Sequence, residues 1–244
     1  MAWSPDSHLI ATGSSDKQIR IWGKNSTTGL FESKSVLEEG HTRTIRSLAW
    51  KPDSIGQLVL ASGSFDATAF LWQQEEAGSC EFETIMELQG HENEVKCVAW
   101  SSDSQFLATC SRDKTIWVWE REDEEDEDFE YTCRGVLSGH TQDVKFVKWH
   151  PERQELFSAS YDDTIKCWKY DNALEDWICS YSLSGAHSST VWALDFDTTG
   201  KFLVSCSEDC SWIIWKENDS HQYDQVTKIS EPFFRSIYSI SVAK

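Results

Sequence analysis

Short runs that are rich in β-branched and aromatic residues follow one another along this chain, separated by turns rich in Gly, Ser and Asp. Representative runs are IRSLAW (45–50), VKCVAW (95–100), VKFVKW (144–149) and VWALDF (191–196). Such residues favour strands, and such turns bound them. No stretch keeps a helical apolar period over the length of a helix. The pattern therefore predicts an all-β protein.

The strand pattern is repeated, and the repeat is marked by five tryptophans spaced about 48 residues apart, the kind of period that indicates a repeat architecture. An aspartate precedes each tryptophan, a serine or threonine precedes the aspartate, and a histidine opens every copy but the first. The first copy holds Thr12, Asp16 and Trp22; the complete sets are His41, Ser62, Asp66, Trp72; His91, Thr109, Asp113, Trp119; His140, Ser158, Asp162, Trp168; and His187, Ser205, Asp209, Trp215.

These four residue types supply matched donors and acceptors, so we interpret the sets as structural hydrogen-bond chains around tight turns. Each repeat reads as four strands: one that ends in an aromatic residue, one of small residues such as LASGS (60–64), one that ends in the tryptophan, and a fourth such as that in TIMELQGH (84–91). The predicted repeats cover about 1–36, 37–83, 84–132, 133–179 and 180–225, followed by a stub at 226–244. Within the stub, RSIYSISV (235–242) resembles the first strand of a further unit.

The Gly-His, Ser/Thr, Asp and Trp order resembles the WD-repeat family over nearly the whole chain. The resemblance implies a WD-repeat β-propeller with four-stranded blades, of which about five blades' worth is present. Because relatives usually close with seven blades, it implies a truncated seven-bladed propeller, an open arc with unpaired edges. A closed five-bladed ring is the alternative.

Composition narrows the classes of partner. A net charge of −19 argues against nucleic acid and anionic membranes as direct partners. Much of the excess lies in EREDEEDEDFE (120–130), either a solvated loop or a docking segment. The eight cysteines show no CxxC and no metal-ligand spacing, so we expect structural thiols, no metal and no cofactor. No apolar targeting or spanning segment is seen, which indicates a cytoplasmic protein, with the nucleus left open as a second location.

No phosphate-binding loop or nucleophile elbow occurs, and His–Ser–Asp sets that recur in every repeat are not one catalytic site. We therefore predict no catalytic residue and look for a binding surface. In a propeller, the residue before each repeated aspartate lies on one exposed face; these residues are Ser15, Phe65, Arg112, Tyr161 and Glu208.

Phe65, Arg112 and Tyr161 are candidate partner contacts, because aromatic residues and arginine dominate interfaces. The two aromatic residues could instead pack on neighbouring blades. A second series, Arg46, Lys96 and Lys145, is interrupted by Trp192. It predicts a positive patch that suits an acidic group or a free carboxylate, unless acids such as Glu94 and Asp143 neutralise it.

Longer motifs carry a closer resemblance. GHENEVKCVAW (90–100), LATCSRDKTIWVWE (107–120), HTQDVKFVKWHP (140–151), ASYDDTIKCW (159–168), GSFDAT (63–68) and the acidic run are similar to the WD-repeat subunits of the targeting complex for cytosolic iron–sulfur cluster assembly (CIA). The resemblance implies a non-enzymatic scaffold or adaptor that helps deliver clusters to cytosolic and nuclear apo-proteins.

The same resemblance implies four kinds of partner: a MIP18-family protein, a large helical-repeat adaptor, an iron-only-hydrogenase-like cluster carrier and apo iron–sulfur clients. Arg112, in SRD, matches an exposed and functionally important arginine of that family. About two blades of the family's pattern are absent from the chain. A generic WD-repeat scaffold, or a substrate receptor of a ubiquitin ligase or chromatin complex, is the alternative function.

Overall fold

A computed structural model describes residues 1–53, 56–122 and 131–242. These residues form twenty strands and no helix, and the strands make five four-stranded sheets. In every sheet the strands lie side by side in chain order, and their pairing is antiparallel. The predictions of an all-β protein and of about five four-stranded units are confirmed.

The strands are as follows. The first sheet holds β1 (Ala2–Trp3), β2 (Leu9–Gly13), β3 (Ile19–Lys24) and β4 (Phe31–Leu37); the second holds β5 (Ile45–Trp50), β6 (Val59–Ser64), β7 (Ala69–Gln74) and β8 (Phe82–Leu88); the third holds β9 (Val95–Trp100), β10 (Phe106–Ser111), β11 (Thr115–Arg121) and β12 (Tyr131–Ser138); the fourth holds β13 (Val144–Trp149), β14 (Glu155–Ser160), β15 (Ile165–Asp171) and β16 (Asp176–Leu183); and the fifth holds β17 (Val191–Phe196), β18 (Phe202–Ser207), β19 (Trp212–Glu217) and β20 (Tyr223–Ile229).

The sheets do not end where the sequence repeats were predicted to end. The boundaries placed at 84, 133 and 180 fall inside β8, β12 and β16. The reason is hydrogen bonding: β8, for example, pairs along its length with β7, where Trp72 lies opposite Thr84. Each of these sheets therefore takes its fourth strand from the beginning of the next predicted repeat.

The segment predicted as a stub forms no strand of its own in the part that the structure describes. Residues 235–242 belong to no strand of the described chain, because a strand requires a ladder of backbone bonds with a neighbour. The segment forms one backbone–backbone bond among the described residues, from Ile237 N–H to the Ser207 carbonyl.

The described chain divides into two compact units. One contains Met1–Ser111 with Val118–Arg134, and the other contains Arg112–Trp117 with Gly135–Lys244. In the first unit, Trp50 at the end of β5 packs edge-on against Phe82 at the start of β8, with ring centroids 5.6 Å apart. In the second unit, Trp149 and Trp177 make the corresponding contact, also at 5.6 Å.

The second strand of the later sheets explains the small residues seen in the sequence. Every residue of β6, β10 and β14 is buried. Both faces of a strand that is buried throughout are covered, and small side chains allow close packing on such a strand. Gly63 in β6 is an example, since a Cβ atom there would overlap the side chains of Val95 and Val98.

Candidate interaction site at the turn ends of the sheets

We call the end of a sheet that carries the aspartate turn its turn end; the first strand begins at the same end. All five turns share one backbone conformation, with a left-handed residue directly after the aspartate. The φ angles are 73° at Lys17, 73° at Ala67, 75° at Lys114, 66° at Asp163 and 63° at Cys210. None is glycine, so each turn holds a conformation that L-residues adopt at a cost.

The aspartate stabilises this turn through its carboxylate. In the second sheet, Oδ1 of Asp66 accepts hydrogen bonds from the N–H and the hydroxyl of Thr68, at 3.0 and 2.6 Å. Oδ2 accepts the N–H of Thr42 at 2.8 Å and lies 3.0 Å from Nδ1 of His41. The carboxylate thus ties the turn to the loop that precedes the first strand.

The predicted sets come together as continuous chains in the second, fourth and fifth sheets. In the fourth sheet, Nδ1 of His140 lies 2.8 Å from Asp162, Nε2 lies 2.7 Å from Oγ of Ser158, and the indole of Trp168 donates to the same oxygen at 2.8 Å. The corresponding distances in the fifth sheet, from His187 through Trp215, are 3.3, 2.8 and 2.9 Å.

This order of contacts determines the histidine tautomer. A carboxylate accepts only, so the Nδ1–H of His140 must donate to Asp162. The hydroxyl of Ser158 then donates to Nε2 of the neutral ring. The oxygen of the same hydroxyl accepts the indole N–H of Trp168. Every polar atom of the chain has a partner, which is the condition for burying it.

The electrostatics agree with neutral histidines and ionised aspartates. Burial lowers the pKa of His140 and of His187 below 6.5, despite the neighbouring carboxylates. Burial works to raise the pKa of Asp162, but the hydrogen bonds from His140, Thr164 and the Thr141 N–H prevail and hold that pKa far below its usual 3.8. The pKa values of Asp66 and Asp209 are also lowered. The chains are thus satisfied in one protonation state, as scaffolding requires.

The other two sheets contain the following bonds of the pattern. In the third sheet, Thr109 lies 2.9 Å from Nε2 of His91 and accepts the Trp119 indole at 3.1 Å; Asp113 accepts from Thr115 at 2.6 Å. In the first sheet, Trp22 donates to Thr12 at 2.8 Å. Asp16, whose set has no histidine, pairs there with Arg20 at 2.9 Å.

Two predicted contact residues meet in the first unit. The ammonium of Lys96 lies 4.1 Å from the centroid of the Phe65 ring, a cation–π distance. The N–H of Phe65 donates to the Thr44 carbonyl at 2.9 Å, and Arg43 donates to the Phe65 carbonyl at 2.6 Å. Arg43, which the sequence patterns did not single out, also approaches Glu94 at 3.5 Å.

Two more meet in the second unit. Nζ of Lys145 lies 5.2 Å from the ring centroid of Tyr161 and 5.3 Å from that of Trp192. The same atom pairs with Asp143 at 3.0 Å, which matches the neutralised alternative for this position. Tyr161 is 54% exposed. Lys145 therefore stabilises an aromatic surface and contributes little net charge to it.

Arg112 and Arg46 are both exposed. Arg112 lies at the aspartate turn of the third sheet, in the second unit, and Arg46 follows the first residue of β5, in the first unit. Burial and the charge of Arg46 together lower the pKa of the Met1 amino group. The six predicted contact residues therefore fall into two groups: Phe65, Lys96 and Arg46 in one unit, and Tyr161, Lys145 and Arg112 in the other.

The remaining sequence features lie away from these groups. Residues 123–130 of the acidic run are outside the described residues; within its described part, Glu120 pairs with Arg134 at 3.1 Å. All eight cysteines are free. Among residues 1–53, 56–122 and 131–242 there is no cluster of three or more His, Cys, Asp or Glu side chains arranged to hold a metal ion. The same residues contain no helix with the length and apolar character to cross a membrane.

A known repeat family matches five segments of the chain. The family described as WD domain, G-beta repeat matches residues 1–23, 32–73, 82–120, 131–169 and 177–216. Each of the last four matches begins near the fourth strand of one sheet and ends near the end of the third strand of the next sheet. The predicted repeats are shifted relative to the sheets in the same way.

Curated relatives are similar over almost the whole chain. A "Probable cytosolic Fe-S cluster assembly factor" of Schizosaccharomyces japonicus is 47% identical over 91% of this chain and 34% of its own length. Proteins called "Probable cytosolic iron-sulfur protein assembly protein 1" are 42% identical in Kluyveromyces lactis and 43% identical in Vanderwaltozyma polyspora, each over 98% of this chain. The chain spans about a third of the first relative's length, and 73% and 75% of the other two.

The repeated aspartate turns, the His–Ser/Thr–Asp–Trp chains and these matches agree, and the chain belongs to the WD-repeat family, in the group of the cytosolic iron–sulfur protein assembly proteins.

Proposed function

We propose that this chain is a non-enzymatic scaffold of cytosolic iron–sulfur protein assembly, which helps to deliver clusters to cytosolic and nuclear apo-proteins through protein–protein contacts. The observation that carries the proposal is the identity of 42–43% over 98% of the chain with relatives named for that process. The names of these relatives include the word cytosolic, which supports a cytoplasmic location. A nuclear pool of the protein belongs to the proposal.

The turn ends supply the contact residues in this proposal, one group in each unit. Arg112 and Tyr161, both exposed, are of the residue types that dominate interface energetics, and the Phe65–Lys96 pair adds an aromatic ring and a cation. Arg112, Phe65 and Tyr161 lie on turns that the aspartates stabilise, so little conformational entropy is lost when a partner binds them. The hydrogen-bond chains of the second, fourth and fifth sheets each repeat the same contacts, which supports a role in positioning the turns.

The proposed partners are a MIP18-family protein and a large helical-repeat adaptor, with an iron-only-hydrogenase-like carrier and apo-protein clients reached through the same complex. We propose that the chain ligates no cluster of its own. Buried Cys167 and Cys206 lie in separate sheets with pKa values raised to about 12 by burial, so neither thiol is a ready thiolate ligand. Iron analysis of the purified protein tests this point, and stoichiometric iron would contradict it.

The main test is a pull-down of the MIP18-family protein and an iron–sulfur client by the parent chain, by Arg112→Glu and by Lys201→Glu. Lys201 is an exposed cation just before β18, at the end of the fifth sheet opposite its turn end. Lys201→Glu therefore makes the same change of charge as Arg112→Glu at a place outside the proposed contact residues. We expect Arg112→Glu to lose capture at an unchanged melting temperature, with Lys201→Glu binding like the parent. Capture of a cullin adaptor in place of the MIP18-family protein would replace this proposal by the substrate-receptor function.

A further inference from the structure

Residues 237–242 are docked on the fifth sheet in the position that a first strand takes on the sheet before it. The N–H of Ile45, the first residue of β5, donates to the Ser14 carbonyl of the first sheet at 3.1 Å. The N–H of Ile237 donates to the Ser207 carbonyl at the same distance. Ser14 and Ser207 are equivalent, since each lies two residues before its repeated aspartate. Ile237 therefore stands in the register of Ile45.

The far end of the segment is held by a different device. In the first unit, the indole of Trp100 reaches back to the Ala49 carbonyl of β5 at 3.1 Å. The segment has Val242 in the tryptophan position and so has no indole to donate. Instead, its backbone N–H donates to Oδ2 of Asp195 at 2.8 Å. Asp195 occupies in β17 the position that Ala49 occupies in β5.

Asp195 is suited to this task because its charge is balanced. The residue is only 6% exposed, and a buried carboxylate is tolerated when it is paired and accepts hydrogen bonds. Lys148 of β13 provides the pair at 2.9 Å to Oδ1, and the hydroxyl of Ser241 adds a longer bond to Oδ2 at 3.4 Å.

The docked register brings Tyr238 to the turn end. Tyr238 follows Ile237 as Arg46 follows Ile45, and its ring lies edge-on to Trp192, with centroids 5.2 Å apart. The Trp192 ring in turn lies 5.3 Å from Nζ of Lys145, and the same atom lies 5.2 Å from the Tyr161 ring. The result is a row of four side chains, Tyr161–Lys145–Trp192–Tyr238, which we call the aromatic row.

The chemistry of the aromatic row is apolar. Its one cation is paired with Asp143 and its side chain is 13% exposed, whereas Tyr238 is 61% exposed and Tyr161 is 54% exposed. Large aromatic side chains exposed together mark an interaction surface. A carboxylate would compete with Asp143 for Lys145, but an aromatic or aliphatic side chain meets the rings without that competition.

Resting on the proposed function, we propose that Tyr238 is a partner-contact residue, that Asp195 positions it by docking residues 237–242, and that the aromatic row accepts an aromatic or aliphatic side chain of the bound protein. Binding at this surface is then insensitive to salt, because screening acts on exposed charge and leaves apolar burial intact.

The docking step is tested without any partner. Hydrogen exchange of the Val242 amide should accelerate about tenfold or more in Asp195→Ala, since the acceptor is removed. Asp195→Asn, which keeps an acceptor oxygen, should fall between that variant and the parent. Unchanged Val242 exchange in Asp195→Ala would show that Asp195 does not dock the segment.

The contact step is tested with the MIP18-family protein as the probe, at low and at high salt. Tyr238→Ala should weaken binding about tenfold at both salt concentrations, and Tyr238→Phe should bind like the parent. Asp195→Ala should weaken binding similarly, and the double variant no further, because both changes act through Tyr238. Melting temperatures check the fold of each variant.

The failures of the two proposals are distinct. If Arg112→Glu loses binding and Tyr238→Ala does not, the aromatic row is overturned and the proposed function stands. If a loss in Tyr238→Ala disappears at high salt, the apolar chemistry of the row is wrong. If the parent captures no partner, both the proposed function and the contact role of Tyr238 are contradicted. Hydrogen exchange still tests separately whether Asp195 docks residues 237–242.

Discussion

Nε2 of His140 and Nε1 of Trp168 meet at one atom, the hydroxyl oxygen of Ser158, at distances of 2.7 and 2.8 Å. A single buried hydroxyl therefore satisfies both rings. Ser158→Ala should lower the free energy of unfolding by about 2–4 kcal/mol, because it leaves a buried donor and a buried acceptor unpaired. Denaturant titration measures the change.

The matched control is Ser158→Thr. Thr109 has the same role in the third sheet, with bonds to His91 and Trp119, so a threonine hydroxyl can make both contacts. We expect its loss of stability to be clearly smaller than that of the alanine variant. Equal losses would mean that packing around position 158, and not the hydroxyl, determines stability there.

Stability should fall on acidification in two steps. Burial lowers the pKa of His140 and His187 below 6.5, so below that pH the unfolded chain binds more protons than the folded chain, and stability declines as pH falls from 6.5 towards the folded pKa values. The pKa values of Asp66, Asp162 and Asp209 are lowered below 3.8. Their contribution to stability is therefore complete above pH 3.8 and is lost as the pH falls below that value. Melting temperature against pH tests both windows.

The histidine step has its own control. His187→Gln should flatten the decline between about pH 7 and pH 5, because one buried titrating group is removed. His8→Gln, which makes the same substitution at an exposed histidine, is the matched variant for comparison. A parent protein whose melting temperature does not change across this range would contradict the lowered histidine pKa values.

The turn after Asp66 offers a stabilising substitution. Ala67 has a φ angle of 73°, where a Cβ atom is strained and glycine is not. Ala67→Gly should raise the free energy of unfolding by about 0.5–1 kcal/mol. Ala77→Gly, at an exposed position without positive φ, should lower it slightly through unfolded-state entropy. A loss of stability at Ala67 would show that the flexibility of glycine outweighs the strain.

Gly200 should be the least replaceable glycine of the second unit. It has a φ angle of 70°, and a Cβ atom there would overlap the ring of buried His150. Gly185 has a φ angle of 78° with open space around it. Both alanine variants carry the backbone strain of about 1 kcal/mol, but Gly200→Ala should lose at least about 2 kcal/mol more through the clash. Similar losses at the two sites would mean that His150 moves aside freely.

The thiols should react in two classes. Cys133 and Cys179 are exposed, whereas Cys167 and Cys206 are buried with pKa values raised to about 12. Because the thiolate is the reactive form, an alkylating reagent near neutral pH should modify the exposed pair in the folded protein. Mass spectrometry should find Cys167 and Cys206 modified only after denaturant is added; early modification of either would indicate local opening of its sheet.

Much of the fold could be predicted because its signals are local. Asp66, Trp72 and their equivalents recur five times and mark the turns and the third strands. The hydrogen-bond donors and acceptors within each set pair with one another, so the set can be recognised without knowledge of its surroundings. The border between one four-stranded sheet and the next could not be placed in the same way. Thr84 begins a sequence repeat, but its strand belongs with Trp72 because the backbone ladder, which sequence spacing does not reveal, joins them.

The sequence by itself determined the all-β class, the number of four-stranded units and the members of each hydrogen-bond chain, since strand pattern and turn chemistry are properties of neighbouring residues. Only the tertiary structure decided that Lys145 is paired with Asp143 and lies against Tyr161 and Trp192, and that Asp195 holds Val242. Apart from the Asp143–Lys145 pair, these contacts join residues that are far apart in the sequence, and burial and distance at such places depend on how the sheets pack.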